Sequence, residues 1–297
     1  YFNDFLNREQ IHALYITYGN RFWDRLSLQV GLRAEYMQRH LSTEYYDSSN
    51  QLTTLEQDTS YFQLFPSAYL SYSFPHGHEL QLNYTRRVDR PRGHQINPRQ
   101  NFADSTNIQF GNPSLLPAYS SSVELNYLKS WERHTLSAGL FYRFADGVIQ
   151  NVKYMDGNVM KNTFINIAKR QEVGAEIVAK NRLFGNLLQL TTSASLYYNT
   201  LTAEEYHNQI GGTKVDISLR GQQTLAWTAR MNAQFMFTKT FSGQLSVNYR
   251  SPRVVAQGES SHSYFIDIGL RKTFLDKQLA LALNVRDLLN SRARSTT

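Results

Sequence analysis

SGQLSVNYRSPRVVAQGESSHSYFIDIGLRKTFLDKQLALALNVRDLLN, residues Ser242 to Asn290, contains three segments in which apolar and polar residues alternate. In the last, Leu279, Leu281, Leu283 and Val285 project one way, and Ala280, Ala282, Asn284 and Arg286 the other. In the first, Leu245, Val247 and Tyr249 oppose Gln244, Ser246, Asn248 and Arg250. A period of two is the side-chain geometry of a β-strand. The short turn Leu275-Asp276-Lys277-Gln278 joins the second and third segments, and a longer polar loop joins the first and second.

Working outward, the same unit recurs. Ile11–Asn20 reads as a strand, and Arg21–Arg25 as a turn carrying Phe22 and Trp23. The cleanest alternation follows, with Leu26, Leu28, Val30, Leu32, Ala34 and Tyr36 against Ser27, Gln29, Gly31, Arg33 and Glu35. Its length suits a tilted membrane-spanning strand of about 9–11 residues better than a soluble strand of about 5–6. His40–Ser60 reads as a long polar loop, then strands at Phe62–Phe74 and around Leu80–Tyr84, then a loop from Arg87 to Pro117. Strands then follow at Tyr119–Tyr127, Leu136–Tyr142, Val173–Ala179, Leu188–Tyr198 and Trp227–Phe235. The segment VIQNVKY after Asp146 extends its strand, turns at Asp156-Gly157-Asn158 and returns as VMKNTFINI. Asn199–Gln223 reads as a further loop.

This gives about twelve strands whose connections alternate short and long. Nearly every short turn carries or adjoins a large aromatic: Trp23, Phe74, Trp131, Phe184, Phe237, Phe241 and Phe274. Aromatic girdles mark a membrane–water interface. Only a helix or a closed sheet satisfies all backbone groups in hydrocarbon. No apolar run reaches the roughly 18 residues of a spanning helix. The expected fold is therefore all-β: an antiparallel up-and-down transmembrane β-barrel with short periplasmic turns and long extracellular loops. By parity the first strand descends and the last ascends, so a closing strand is expected beyond residue 297.

Composition agrees. Aromatics make up 13% of the chain, and the mean hydropathy is −0.48. The 297 residues hold 31 basic and 24 acidic side chains, a net charge of +7, and no cysteine. A disulfide scaffold and a thiolate metal site are excluded. The basic residues are scattered, without the dense patch of a nucleic-acid binder. No Ser–His–Asp arrangement stands out, so the chain is not expected to be an enzyme, and no cofactor or metal site is expected. His76 and His78 are the one close histidine pair, without a third ligand nearby.

The stretch NYTRRVDRPRGHQINPRQNFADSTNIQFGNPSLLPAYSSSVELNY, Asn83 to Tyr127, resembles the barrel of TonB-dependent outer-membrane receptors. More narrowly it is similar to the outer membrane protein beta-barrel family. The pieces carrying the resemblance are Tyr84-Thr85-Arg86-Arg87 with Arg90-Pro91, Asn97-Pro98, Gly111-Asn112-Pro113 and Glu124-Leu125-Asn126-Tyr127. Further along come Asn248-Tyr249-Arg250-Ser251-Pro252, Ala256-Gln257-Gly258 and Val285-Arg286-Asp287-Leu288-Leu289-Asn290. The resemblance implies that residues 1–297 are the C-terminal part of a 22-stranded barrel. It also implies an N-terminal plug domain, contact with the TonB complex through a preceding N-terminal region, and a location in the bacterial outer membrane among its lipids. The parent would import a large scarce nutrient such as a chelate, glycan or peptide. The alternative is a non-transporting outer-membrane barrel, such as an adhesin or assembly protein.

On that architecture the wetted face lines the lumen and meets the plug. In the first half it carries Arg33, Glu35, Gln81, Asn83, Glu124, Asn126, Arg143 and Glu176. In the second half it carries Arg230, Asn232, Asn248, Arg250, Arg271 and Arg286. Arg87, Arg90, Arg92 and Arg99 form the densest basic cluster, in a predicted extracellular loop. Guanidinium groups grip carboxylate and phosphate bidentately, which would suit an anionic ligand. Pairing with Asp89 and Asp104 is the structural alternative for this cluster.

Overall fold

The computed structural model describes the chain apart from residues 1–4, 47–50, 102–103, 203, 211–212, 220, 256–257 and 292–297. Its strands in chain order are β1 (Phe5–Phe22), β2 (Leu26–Tyr46), β3 (Leu52–Phe74), β4 (His78–Asp89), β5 (Asn107–Gln109) and β6 (Ala118–Ser130). Next come β7 (His134–Asp156), β8 (Val159–Leu183), β9 (Leu188–Leu201), β10 (Glu204–Ile210), β11 (Thr213–Leu219) and β12 (Gln222–Met236). The last are β13 (Phe241–Arg250), β14 (Arg253–Val255), β15 (Gly258–Ser260), β16 (Ser263–Phe274) and β17 (Leu279–Val285). Among the described residues, one short α-helix, α1 (Gly93–Ile96), lies between β4 and β5, and single 3-10 turns, Pro75–Gly77 and Leu275–Lys277, lie in two of the short connections.

Twelve of these strands form one antiparallel path, β1-β2-β3-β4-β6-β7-β8-β9-β12-β13-β16-β17. Its end strands β1 and β17 are not paired to each other among the described residues. The short connections are tight because they use left-handed backbone: Trp23 and Asp24, His76 and Gly77, Phe184 and Gly185, Leu275 and Asp276 all have positive φ. Paired left-handed residues match the twist of the flanking strands.

Alternation divides the sheet into two faces. One face is apolar and exposed, including Leu14 at 77%, Leu140 at 60% and Leu281 at 59%. A chain in water would not leave such a surface bare, whereas lipid covers it. Two aromatic rows frame it. At the short-turn end stand Trp23, Phe74, Trp131, Phe184 and Phe274. At the other end stand Tyr36, Phe62, Tyr142, Tyr198 and Tyr264, a second row beyond the one expected near the turns. Leu26 to Tyr36 spans the interval, roughly 25 Å for a tilted strand, the height of a hydrocarbon band.

Several expectations change beyond the second row. The first strand is longer than Ile11–Asn20 and begins at Phe5. His40–Ser60 is not a loop: β2 runs 21 residues to Tyr46 and β3 runs 23 from Leu52, with the tip of YYDSSNQ outside the described residues. Above the membrane both faces of a strand can be polar, so loss of apolar alternation did not end the strands. The Arg87–Pro117 segment carries α1 and β5, Asn199–Gln223 carries the β10–β11 hairpin, and the loop after Arg250 carries β14 and β15. The extended β7–β8 hairpin is as expected, at 23 and 25 residues.

The apolar cores of the molecule sit beyond the membrane band. One joins Ile108, Phe110, Val152, Ile165 and Leu201. The other joins Leu41, Ile96 and Leu115, with Phe5, Leu55, Ile149 and Phe164 against it. Each fully buried side chain of this size contributes about 1.5–3 kcal/mol of transfer free energy. The β7–β8 hairpin reaches these cores through a register shift between Ala145 and Val148, where Gly147 has φ +64. A bulge of this kind bends the ribbon.

Candidate functional site

Directly paired residues on neighbouring strands share a face. The register carries one polar row across seven strands: Gln81 pairs with Asn126, Asn126 with Gly139, Gly139 with Glu176, Glu176 with Ser195, Ser195 with Thr228, and Thr228 with Arg250. The next row joins Asn83 to Glu124 and Glu124 to Phe141. Arg230 lies opposite Asn248, and Asn232 opposite Ser246, whose hydroxyl donates to the Asn232 Oδ1 at 2.8 Å. Arg271 lies opposite Ser242 and Ala282. By this register Gln81, Asn83, Glu124, Asn126, Glu176, Arg230, Asn232, Asn248, Arg250 and Arg271 lie on one face of the sheet. Arg286 falls just past the end of β17.

The row is internally paired at its centre. The Arg143 Nη2 donates to the Glu124 Oε1 at 3.4 Å, and the guanidinium lies 4.1 Å from the centre of the Phe141 ring. On the opposite, apolar face at the turn end, the His78 Nδ1 is 2.5 Å from the Tyr127 hydroxyl, and the Lys129 Nζ is 2.7 Å from the His78 Nε2. Both ring nitrogens of His78 are thus engaged by side chains.

The densest cluster forms where the wall leaves the membrane. Glu35, 5% exposed, accepts from the Arg33 Nε at 2.5 Å and from Arg90. The Arg90 Nε also donates to the Tyr61 hydroxyl at 3.1 Å. Four residues along the same face of β2, Arg39 is 5% exposed and donates Nη2 to the carbonyls of Pro113 and Leu115 at 3.1 and 3.2 Å. Burial pulls the Arg39 pKa below its ordinary value, opposed by the charge of Glu9 on β1. Thus the described residues of 90–117 are held onto the polar face at Arg90, Pro113 and Leu115.

Arg90 is a correction. Its place in the sequence groups it with the loop arginines suited to a ligand, but it is half-buried and paired with Glu35 across 55 residues of sequence. Asp89 is not its partner, and Asp104 instead accepts from the Thr106 backbone and hydroxyl. Those bonds, led by the hydroxyl, hold the Asp104 carboxyl below its usual range. Arg87, Arg92 and Arg99 remain exposed, and among the described residues none of the three is ion-paired. Tyr119 is a second correction. Alternation groups it with Val123 and Leu125, yet it is half-buried and stacks on Phe65 at 6.5 Å. Pairing of β3 with β4 stops at Ser67–Thr85 while β4 continues with β6 to Asp89–Ala118, so the strands part there.

Sequence reasoning missed Tyr61, Arg39 and Asn166. The one available signal for Arg39 was the even spacing that puts it on the face of Arg33 and Glu35. Nothing local marks Asn166, whose side chain meets Leu116 and Gly147.

Compared with known proteins, the sequence matches the Outer membrane protein beta-barrel family over residues 1–297. No protein among the curated sequences matches it. Among solved structures, the ferric-catecholate import receptor Fiu from E. coli K12 superposes with a TM-score of 0.66 at 14% identity, covering 96% of this chain and 41% of that one. The siderophore receptor PiuA from Acinetobacter baumannii gives 0.68 at 14%, covering 97% and 40%. The ferric yersiniabactin uptake receptor FyuA from Yersinia pestis gives 0.63 at 14%, covering 97% and 42%. The chain spans about two fifths of each of these proteins, and the likeness is one of fold.

Proposed function

Because this chain belongs to the outer membrane protein beta-barrel family, we propose that it builds part of the wall of a TonB-dependent import receptor. The chain lies in the bacterial outer membrane, its apolar face against lipid and its polar face toward a passage. The remaining strands and a plug domain complete the barrel, and the polar rows from Gln81 to Arg250 meet the plug. Energy delivered through TonB displaces that plug, and ligand moves along the wall. The observation that carries this reading is the single continuous polar face beneath inward-folded extracellular segments. An adhesin needs no such lined interior.

Exposed Arg87, Arg92 and Arg99 at the mouth suit an anionic solute, and the similar structures include receptors named for iron chelates. A deletion strain supplies the test. Growth is compared on ferric chelates, copper, oligosaccharides and peptides as the limiting nutrient, with and without a working TonB. A nutrient whose use needs both the receptor and TonB supports import. Normal growth on every one of them, with loss of surface attachment, would overturn it in favour of the adhesin.

A further inference from the structure

The inward segment is joined to two neighbours in different ways. To the β7–β8 hairpin it is joined by hydrogen bonds of backbone and side-chain amides. β5 pairs in parallel with β8 from Asn107–Met160 to Gln109–Asn162, and the Phe110 amide donates to the Asn162 carbonyl at 3.0 Å. The Asn112 Nδ2 donates to the Phe164 carbonyl at 2.9 Å, and the Leu116 amide to the Asn166 Oδ1 at 2.9 Å. To the wall it is joined by side chains: Glu35 to Arg90, Arg90 to Tyr61, and Arg39 to two carbonyls. Leu41, Leu55 and Phe5 add apolar contact there.

Buried charges are a poor permanent cement. Apolar residues of the same volume usually hold as well or better, while loss of one partner strands the other. Arg39 shows the mismatch: its Nε is buried without a hydrogen-bond partner. The hairpin that the segment follows has its own bend, at the bulge around Gly147.

We propose that the described residues of 90–117, which are 90–101 and 104–117, form a latched lid on the passage side of the wall. Glu35 and Arg39 are the positioning residues of the latch. On release, the lid leaves the wall together with the outer half of the β7–β8 hairpin, turning at Ala145–Val148. Closed, it narrows the mouth; open, it admits a bulky ligand past Arg87 and Arg99. The lid's purpose rests on the import reading, but its motion is tested without any ligand, so the two fail separately.

The chain has no cysteine, so one introduced residue reports alone within it. Leu115, 1% exposed, is a lid residue clustered with Leu41 of the wall, whereas Val152, 0% exposed, lies in the core of lid and hairpin residues that Leu201 of β9 joins. Leu115→Cys and Val152→Cys are made separately in the full-length protein in the outer membrane of intact cells. Labelling by a membrane-impermeant maleimide is timed. Adding Glu35→Gln with Arg39→Met should raise the Leu115→Cys rate about tenfold or more, and leave Val152→Cys protected. An unchanged Leu115→Cys rate overturns the latch. An equal rise at Val152→Cys also overturns it, because packing has then been lost throughout. If Leu115→Cys fails to insert, Thr43→Cys, 1% exposed on the wall side, gives the same reading.

Discussion

Asn166 and Leu116 bond each other twice: the Leu116 amide donates to the Asn166 Oδ1 at 2.9 Å, and the Asn166 Nδ2 donates to the Leu116 carbonyl at 2.8 Å. The same Nδ2 reaches the Gly147 carbonyl at 2.7 Å, closing the bend of the hairpin onto the loop. An amide side chain here completes a peptide-like pair between segments that share no strand register. Asn166→Leu removes all three bonds. Partial exposure of the site limits the loss to about 1–3 kcal/mol. Proteolysis should quicken at residues 104–117, while the melting of the membrane-embedded sheet stays unchanged. A sheet that melts earlier would show the contact to be part of the wall.

The assignment of faces has its own test on a central strand. Leu196 lies on the apolar face, opposite Ala175 and Trp227; Ser195 lies on the polar face, opposite Glu176 and Thr228. Leu196→Arg should destabilise insertion by about 2–4 kcal/mol near the midplane. Ser195→Arg, beside a carboxylate, should change it by less than about 1 kcal/mol. Refolding of the full-length protein into lipid vesicles against urea measures both.

Two turn glycines should respond differently to alanine. Gly77 has φ +76, and an added Cβ would stand 2.6 Å from the Ser130 carbonyl oxygen. Gly157 has φ +60 with nothing within 4 Å. Gly157→Ala should cost about 1 kcal/mol for the left-handed backbone alone. Gly77→Ala adds a backbone clash and should cost clearly more, seen as slower refolding or a lower urea midpoint.

Tyr154, in the extracellular part of β7, has its phenol pushed up to about 12, by burial first and by the charge of Asp156 second. An unfolded tyrosine ionises near pH 10, so above that value the unfolded hairpin sheds a proton that the folded one keeps. Hairpin stability is therefore fully present below about pH 10 and declines as pH rises toward 12. The phenolate absorbance difference between the wild type and Tyr154→Phe should show a late titration. A difference titrating with the exposed tyrosines would refute the burial.

Much of the wall was legible in the sequence. The alternation of Leu26–Tyr36 and Leu279–Val285 follows from lipid on one side and water on the other, a local cause that each strand records by itself. The turn aromatics are equally local. The mouth was not legible, for two physical reasons. Above the membrane both faces of β2 and β3 can be polar, so strands there lose their signature and resemble loops. The latch and its cores are nonlocal: Arg90 meets Glu35 across 55 residues and Arg39 meets Leu115 across 76. RRVDRPR looks the same in sequence whether an arginine faces solvent or a buried carboxylate.

The two cores beyond the membrane also constrain the order of assembly. They collect side chains from Phe5 on β1 to Leu201 at the end of β9. Each lipid-covered hairpin can gain its share of stability as it enters the bilayer. The mouth cannot, because its contacts wait for strands made much later and its loop-closure entropy falls due only then. Sealing of the mouth thus serves as a built-in inspection, passed only once the strands from β1 to β9 stand in register.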